Sequence, residues 1–357
     1  MRAFCFSILT TFILFSTLVK AQESTTPIDS ETIKKWSEPY RGWKYHPTPI
    51  IPADYKIAGS EDFRNFDCPC IYQLKDKPDT WYMAFIGFNG KGYNSFVVES
   101  SDLINWTNPR LATGFGKKGE FDYGGRVIGA FLYENYDIKS PRILKKKDDK
   151  YWTLYGCYPR QGGYELRPGY EGIATSNNGI TWSRFGEEPI LSVFQKDVKD
   201  WEKDCIYQPW LIEHQGKYYS IYNAAQGKYE RMGLALSDNL TQWTRYPNNP
   251  VIDNRKDGYD AIFASDGKVF HDDDHWTMFY FGVNEGKAHI MIAFSRDLIH
   301  WTTNPEPLYK AGGHPLGLDK QYAHKISLVY NPKNETFYMF YCATGNKGRT
   351  IALLTSK

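Results

Sequence analysis

The chain has 357 residues, and its 43 Lys and Arg stand against 41 Asp and Glu. A balance this close to neutral leaves no basic footprint for nucleic acid. The cysteines beyond residue 21 (Cys68, Cys70, Cys157, Cys205 and Cys342) are scattered and odd in number, without the spacing of a disulfide framework or a zinc site. They are expected to be buried structural thiols.

The chain opens on Arg2, an apolar run from Ala3 to Val19, and Val19-Lys20-Ala21 before Gln22, which reads as a secretory signal with a small-residue cleavage site. Lys20 and the polar ESTTPIDSE that follows argue against a retained membrane anchor, and no Cys stands at the cleavage point for lipid attachment. Residues 1–21 are set aside. Residues 22–357 are expected to form one domain, periplasmic or secreted and monomeric. SETIKKW at Ser30 to Trp36 predicts a short helix; elsewhere helical periodicity is nearly absent.

From there the chain alternates short aromatic and β-branched runs with charged or Gly turns, the pattern of antiparallel strands. A phrase recurs: Ser-x-Asp/Asn-x-x-x-Trp ends at Trp106, Trp182, Trp243 and Trp301. The period is about 60 residues, with the first interval the longest, and with four strands per unit that predicts a propeller blade. The chain stops just short of one further period after Trp301. The last unit lacks its Trp phrase, but GWKYHPTPIIP at Gly42 to Pro52 resembles QWTRYPNNPVI at Gln242 to Ile252, and Trp43 precedes Trp106 by one blade length. The expected architecture is all-β: a five-bladed β-propeller whose N-terminal segment supplies the outer strand of the last blade and removes its exposed edge. In each phrase the Asp or Asn is expected to bond the turn backbone, with the Trp packing between blades.

Aligning the units places five inner-strand starts around the axis: FDCPCIY (66–72), IKSPRIL (138–144), IYQPWLI (206–212), ASDGKVF (264–270) and AHKISLV (323–329). Asp67, Lys139, Tyr207, Gln208, Ser265, Asp266 and His324 then converge on the funnel. The long stretch from Thr107 to Tyr136 is read as an insertion on the binding face, with Tyr123 and Arg126 within reach of the funnel. KKKDDK (145–150) and HDDDH (271–275) read as solvated hairpin turns without calcium-ligand spacing, and no metal or cofactor is expected.

The five blades, the QGKYYSIYNA-type second strand and the repeated Trp phrase resemble the five-bladed glycoside hydrolases of families 43, 32, 68 and 117 over essentially the whole chain after residue 21. The resemblance implies an acidic residue before Pro in each of the first three blades. Asp67 of DCP matches the first, as base or nucleophile. Lys139 and Ser140 stand at the second and Tyr207 and Gln208 at the third, so two carboxylates have no match. Asp204, Asp260 and Asp266 are candidate substitutes from neighbouring loops, and family 117, which uses a His as its acid, suggests that role for His324. Tyr207 is carried as a catalytic candidate, and Arg126, Lys139, Asp204, Gln208 and Asp260 as substrate-binding ones.

Glycoside hydrolysis usually needs a protonated and an ionised carboxyl flanking the bond. With one well-matched carboxylate and several cations, the funnel is expected to take an anionic oligosaccharide as a glycoside hydrolase. Two alternatives follow from the same residues: a lyase or dehydratase acting on uronate-containing chains, and a propeller that binds sugar without catalysis.

Overall fold

The computed structural model describes residues 27–164 and 166–357; the signal read at 1–21 lies outside the described residues. Five four-stranded antiparallel blades follow one another. Blade 1 comprises Arg64–Leu74, Lys77–Phe88, Tyr93–Ser100 and Thr107–Thr113; blade 2, Gly125–Phe131, Lys150–Tyr158, Tyr170–Ser176 and Ser183–Phe185. Blade 3 comprises Cys205–His214, Lys217–Gln226, Tyr229–Ser237 and Thr244–Arg245; blade 4, Phe263–Asp272, His275–Asn284, Lys287–Ser295 and Trp301–Thr303. Blade 5 comprises Tyr322–Asn331, Thr336–Gly345 and Gly348–Thr355, and its outer strand is Lys44–Tyr45 from the N-terminus, paired antiparallel with Leu354 and Thr355. Blade 5 meets blade 1 through a hydrogen bond from the Ile71 amide to the Ser327 hydroxyl, which completes the ring.

The short helix α1 (Ser30–Ser37) is capped by Asp29, whose carboxylate accepts from the Thr32 amide. It docks on blade 4 by stacking Trp36 on His275, ring centres 3.8 Å apart. No helix among the described residues is long and apolar enough to cross a membrane.

Each Trp phrase is a turn closed by its own side chains. In the first, Ser100 Oγ accepts from the Leu103 amide and Asp102 Oδ1 from the amides of Ile104 and Asn105; Ser295 and Asp297 repeat the pattern. The residue after the Asp or Asn turns left-handed in all four phrases, at Leu103, Gly179, Leu240 and Leu298. The Trp106 ring then packs edge-on against Phe340 of blade 5.

A second repeat holds the inner strands. Three residues before the first strand of blades 2 to 5 stands an acid (Asp122, Glu202, Asp260 or Asp319), and it accepts a hydrogen bond from a Tyr on that blade's second strand (Tyr155, Tyr222, Tyr280 or Tyr341). All four acids are fully buried. Without the Tyr hydroxyl, and the Arg that most of them also bond, each would be a buried carboxylate at a cost of several kcal/mol.

This pattern corrects the placement of blade 2. Its inner strand is Gly125–Phe131, announced by Asp122, and not 138–144. The stretch 107–136 is therefore no insertion; it holds the outer strand of blade 1 and the inner strand of blade 2. The additional residues are 132–149, which return along the face away from the inner-strand starts, where the Ile138 amide bonds the His271 carbonyl.

One core position departs from its equivalents. Glu171 in blade 2 bridges to Leu191 as Met232, Ile290 and Ile351 bridge in the later blades, and it is fully buried. Burial pushes its carboxyl well above the usual range, with Arg245 pulling the other way. A raised folded value means that this group's stability contribution is complete below its unfolded pKa of about 4.3 and is lost as pH rises toward the folded value. Glu171→Gln is accordingly expected to raise the unfolding free energy by about 1–3 kcal/mol at pH 8 while matching the native protein near pH 4, measured by urea unfolding at both.

Candidate active site

Every inner strand carries a register shift close to the axis. In blades 1, 3, 4 and 5 the shift falls at Cys68, Gln208, Asp266 and Lys325, each left-handed at φ 50–59°; in blade 2 it falls between Ile128 and Ala130. Such bulges re-aim side chains. Here they bring Asp67, Tyr207, Gln208, His324 and Lys325 onto one cavity of about 280 Å³, together with Glu230 and Arg349 from third strands and Tyr164, Leu166 and Arg167 from a connection in blade 2.

Asp67 is 1% exposed. Its Oδ2 accepts from Lys325 Nζ at 2.8 Å and Arg349 Nη1 at 2.5 Å, and its Oδ1 from the Cys68 amide at 2.8 Å. Burial alone would raise its pKa, but Lys325 and Arg349 together hold the carboxyl far below the usual range, so it is ionised at every working pH. His324 donates Nδ1–H to the Cys342 carbonyl at 3.0 Å and turns Nε2 toward Arg349 Nη1, 3.3 Å away. Burial and the adjacent Arg349 and Lys325 push the imidazole down to about 3. At neutral pH it is uncharged, which does not suit the proton-donor role the family 117 resemblance suggested for it.

Glu230, the second carboxylate on the wall, was not singled out from the sequence. It lies at the start of the third strand of blade 3, is 5% exposed, and is hydrogen-bonded to the half-buried Tyr207. Among the described residues, only Asp67 and Glu230 bring carboxylates to this cavity. The equivalent third-strand positions of blades 1, 4 and 5 carry Tyr93, Ala288 and Arg349, so no repeated motif marks the site.

Apart from Gln208, the remaining candidates lie elsewhere. Gln208 reaches the cavity while donating to Cys68 Sγ at 2.9 Å. Asp266 is one layer deeper, paired with Lys268 Nζ at 2.6 Å beside a space of about 10 Å³, barely the room of one water; it closes the floor. Asp260 is the buried anchor of Tyr280 and Arg255. Asp204 sits on the rim, accepting from the Gly227 amide with Arg167 3.7 Å away. Arg126 points between blades to Asp122 and Thr113. Lys139 is exposed beside His271, eight residues along the strand from Phe263 of the cavity wall and thus roughly 25 Å away at about 3.3 Å per residue. Arg142 is buried over the Phe270 ring at that same end.

Asp67, His324 and Cys342 bring one potential ligand atom each within 4.8 Å of one another. The set does not fit a cation: Lys325 and Arg349 already neutralise Asp67, and burial keeps the Cys342 thiol protonated. All five described cysteines are buried.

The fold is shared with solved enzymes. A structure described as "Glycoside hydrolase" aligns with 24% identity over 92% of this chain and 96% of its own, TM-score 0.75. One described as a complex of BT0996 and RGII aligns with 25% identity over 93% and 96%, TM-score 0.74. A third, from work on how the GH130 family of mannoside phosphorylases contains glycoside hydrolases that target beta-1,2 mannosidic linkages in Candida mannan, aligns with 15% identity over 88% and 93%, TM-score 0.64. No curated protein matches the sequence. Residues 151–332, just over half of the chain, match the family described as beta-1,4-mannooligosaccharide phosphorylase. The resemblance to five-bladed glycoside hydrolases thus holds at the level of fold and glycoside cleavage, in a family other than the four it pointed to: the chain belongs to glycoside hydrolase family 130.

Proposed function

We propose that this enzyme removes the terminal sugar from a β-linked mannooligosaccharide by hydrolysis, with Glu230 as the proton donor and Asp67 as the fixed negative charge beside the anomeric carbon. The observation that carries the reading is the division of labour between two wall carboxylates from non-adjacent blades. Asp67 is locked in the ionised state, so protonation of the leaving oxygen must come from another group, and Glu230 is the carboxyl that the described wall supplies. The ionised Asp67 orients the attacking water on the opposite face, and the proton that water loses as the bond to the leaving oxygen breaks is released to solvent. A cavity of about 280 Å³ accommodates a single sugar residue, which favours attack at chain ends. The signal sequence supports a periplasmic or secreted enzyme.

Phosphorolysis is the second reading. Lys325 and Arg349 bring two positive charges against the one negative charge of Asp67, and His324 is neutral, so the cluster keeps a surplus of about one unit. That surplus suits an anionic group: an attacking phosphate, or a carboxylate on the sugar, as an acidic substrate would carry.

The test is product analysis with and without inorganic phosphate on β-1,4- and β-1,2-mannooligosaccharides and an RGII oligosaccharide. Free monosaccharide released without phosphate marks hydrolysis. Sugar 1-phosphate formed only in its presence marks phosphorolysis and overturns the first reading. Glu230→Gln, which keeps size and can still accept from Tyr207, is expected to lower turnover about 100-fold with an unchanged melting temperature. Activity within a few fold of native would remove Glu230 from the reaction.

A further inference from the structure

The connection between the second and third strands of blade 2 is residues 159–169, whereas the same connection in the other blades is four residues or fewer. It does not run outward over its own blade. The Gly162 amide donates to the Lys91 carbonyl at 2.7 Å, and the Tyr93 hydroxyl donates to the Tyr164 carbonyl at 2.5 Å, so the segment is pinned to blade 1. Tyr164 packs edge-on against Phe88, ring centres 5.2 Å apart, and Leu166 joins Cys68, Ile86, Tyr93 and Val127 in a buried apolar cluster. The Tyr164 ring lies under the Arg349 guanidinium of blade 5 at 5.2 Å. On the other side, Arg167 donates to the Gly227 carbonyl of blade 3 at 3.1 Å. Among the described residues its hydrogen bonds and ring contacts therefore reach blades 1, 3 and 5 and none reaches blade 4, whose Phe281, Val283 and Ala288 also line the cavity.

We propose that residues 159–164 and 166–169 form a wall that closes the funnel on the side of blades 1 and 2, leaves blade 4 as the side of entry, and makes Tyr164 and Leu166 the residues that restrict the enzyme to chain ends. The inference rests on reading the cavity as the sugar site. Three anchors on three blades fix the wall in place, and its inward side chains occupy the path that a chain continuing past the terminal sugar would need. A sugar extended at its non-reducing end meets the Tyr164 ring, while the leaving-group side runs out over blade 4. Tyr164 also stacks on the guanidinium of Arg349, whose Nη1 donates to Asp67, a cation–π contact of the usual kind for a partly desolvated guanidinium.

The experiment compares β-1,4-mannotetraose with the same tetraose carrying a bulky blocking group on its non-reducing terminal residue. Native enzyme is expected to cleave the blocked chain at least about 100-fold more slowly, and Tyr164→Ala/Leu166→Ala to reduce that discrimination about 10-fold or more, the scale on which steric pocket contacts discriminate. Tyr93→Phe deletes only the hydroxyl that holds the Tyr164 backbone, and it should move discrimination in the same direction in a folded protein. Native enzyme that cleaves both chains equally well, or a double variant that discriminates as native does, overturns the wall. A parallel measurement does not depend on the sugar: maleimide labelling of Cys205, which lines the cavity, should be about 10-fold faster in the double variant. If native enzyme cleaves neither chain, the mannoside reading fails and the labelling decides the wall, equal rates overturning it.

Discussion

Asp67→Asn is expected to lower kcat by at least about 100-fold and, in the same molecule, to remove about 3–5 kcal/mol of unfolding free energy. Both effects follow from one geometry. The carboxylate is 1% exposed and is the shared acceptor of Lys325 and Arg349. Asn keeps the size but not the charge, so two partly buried cations are left without their shared counterion. Truncating one partner of a buried ion pair costs more than the pair contributes, because the remaining charge is stranded. The pH dependence has a defined sign. Asp67 is depressed in the fold, so its contribution is present above the unfolded pKa of about 3.9 and is lost as pH falls toward the folded value. The stability gap between native protein and Asp67→Asn should thus be constant from pH 5 to 8 and narrow below about pH 4. Adding Arg349→Gln to Asp67→Asn removes one stranded charge and should recover stability without recovering turnover. An Asn variant that turns over as native does, with only its stability lowered, would make Asp67 a counterion for the two cations and nothing more.

What was legible in the sequence was what local chemistry writes. The Trp phrase could be read because its Ser and Asp bond amides two or three residues ahead, and interactions of that range leave a fixed spacing. Four of the five inner strands could be read because Pro69, Pro209 and Gly267 follow the bulged residue directly and His324-Lys325 holds the same place in the last repeat. Blade 2 was misplaced because its bulge falls at Gly129 in GRVIGAF, where no Pro stands, while IKSP imitates the motif of the neighbouring blades. The acid three residues before each inner strand would have chosen correctly, since Asp122 precedes Gly125 as Asp260 precedes Phe263. That signal is visible only once the Tyr it bonds, on the following strand of the same blade, is counted with it. Glu230 was not legible because its role is set by position across the ring: Ala288 and Arg349 hold the same place in the next two blades, and nothing in KYERMG tells which of them faces a sugar. Lys139 shows the opposite error, a residue given a site by a motif that the fold uses at the other end of the axis.

Removal of every residue before Ala53 is expected to abolish cooperative unfolding, an effect larger than any single substitution here. The segment is no tail. Lys44 and Tyr45 pair with Thr355 and Leu354, the His46 amide donates to the Leu353 carbonyl, and Ile51 exchanges backbone hydrogen bonds with Ile351. Ile51 is fully buried in a cluster with Phe66, Ile71, Phe340 and Leu353, which belong to blades 1 and 5, so it seals the seam where the ring closes. Losing Ile51 alone forfeits about 1.5–3 kcal/mol of burial. The missing strand also leaves Gly348–Thr355 as an open, apolar edge of the kind that pairs with other chains. Those losses fall on the one blade that joins the ends of the chain, so they spread to the Lys325 and Arg349 pairs with Asp67 across that seam. Aggregation without a sigmoidal melt is the expected outcome by circular dichroism and size-exclusion chromatography. Removing only the residues before Arg41 takes away α1, with its Trp36 stack on His275 and the Tyr40 bond to Asp272, and should lower the melting temperature while leaving the transition cooperative. If the longer truncation melts as sharply as the shorter one, the outer strand of blade 5 is dispensable and ring closure resides in the contact between blades 1 and 5 alone.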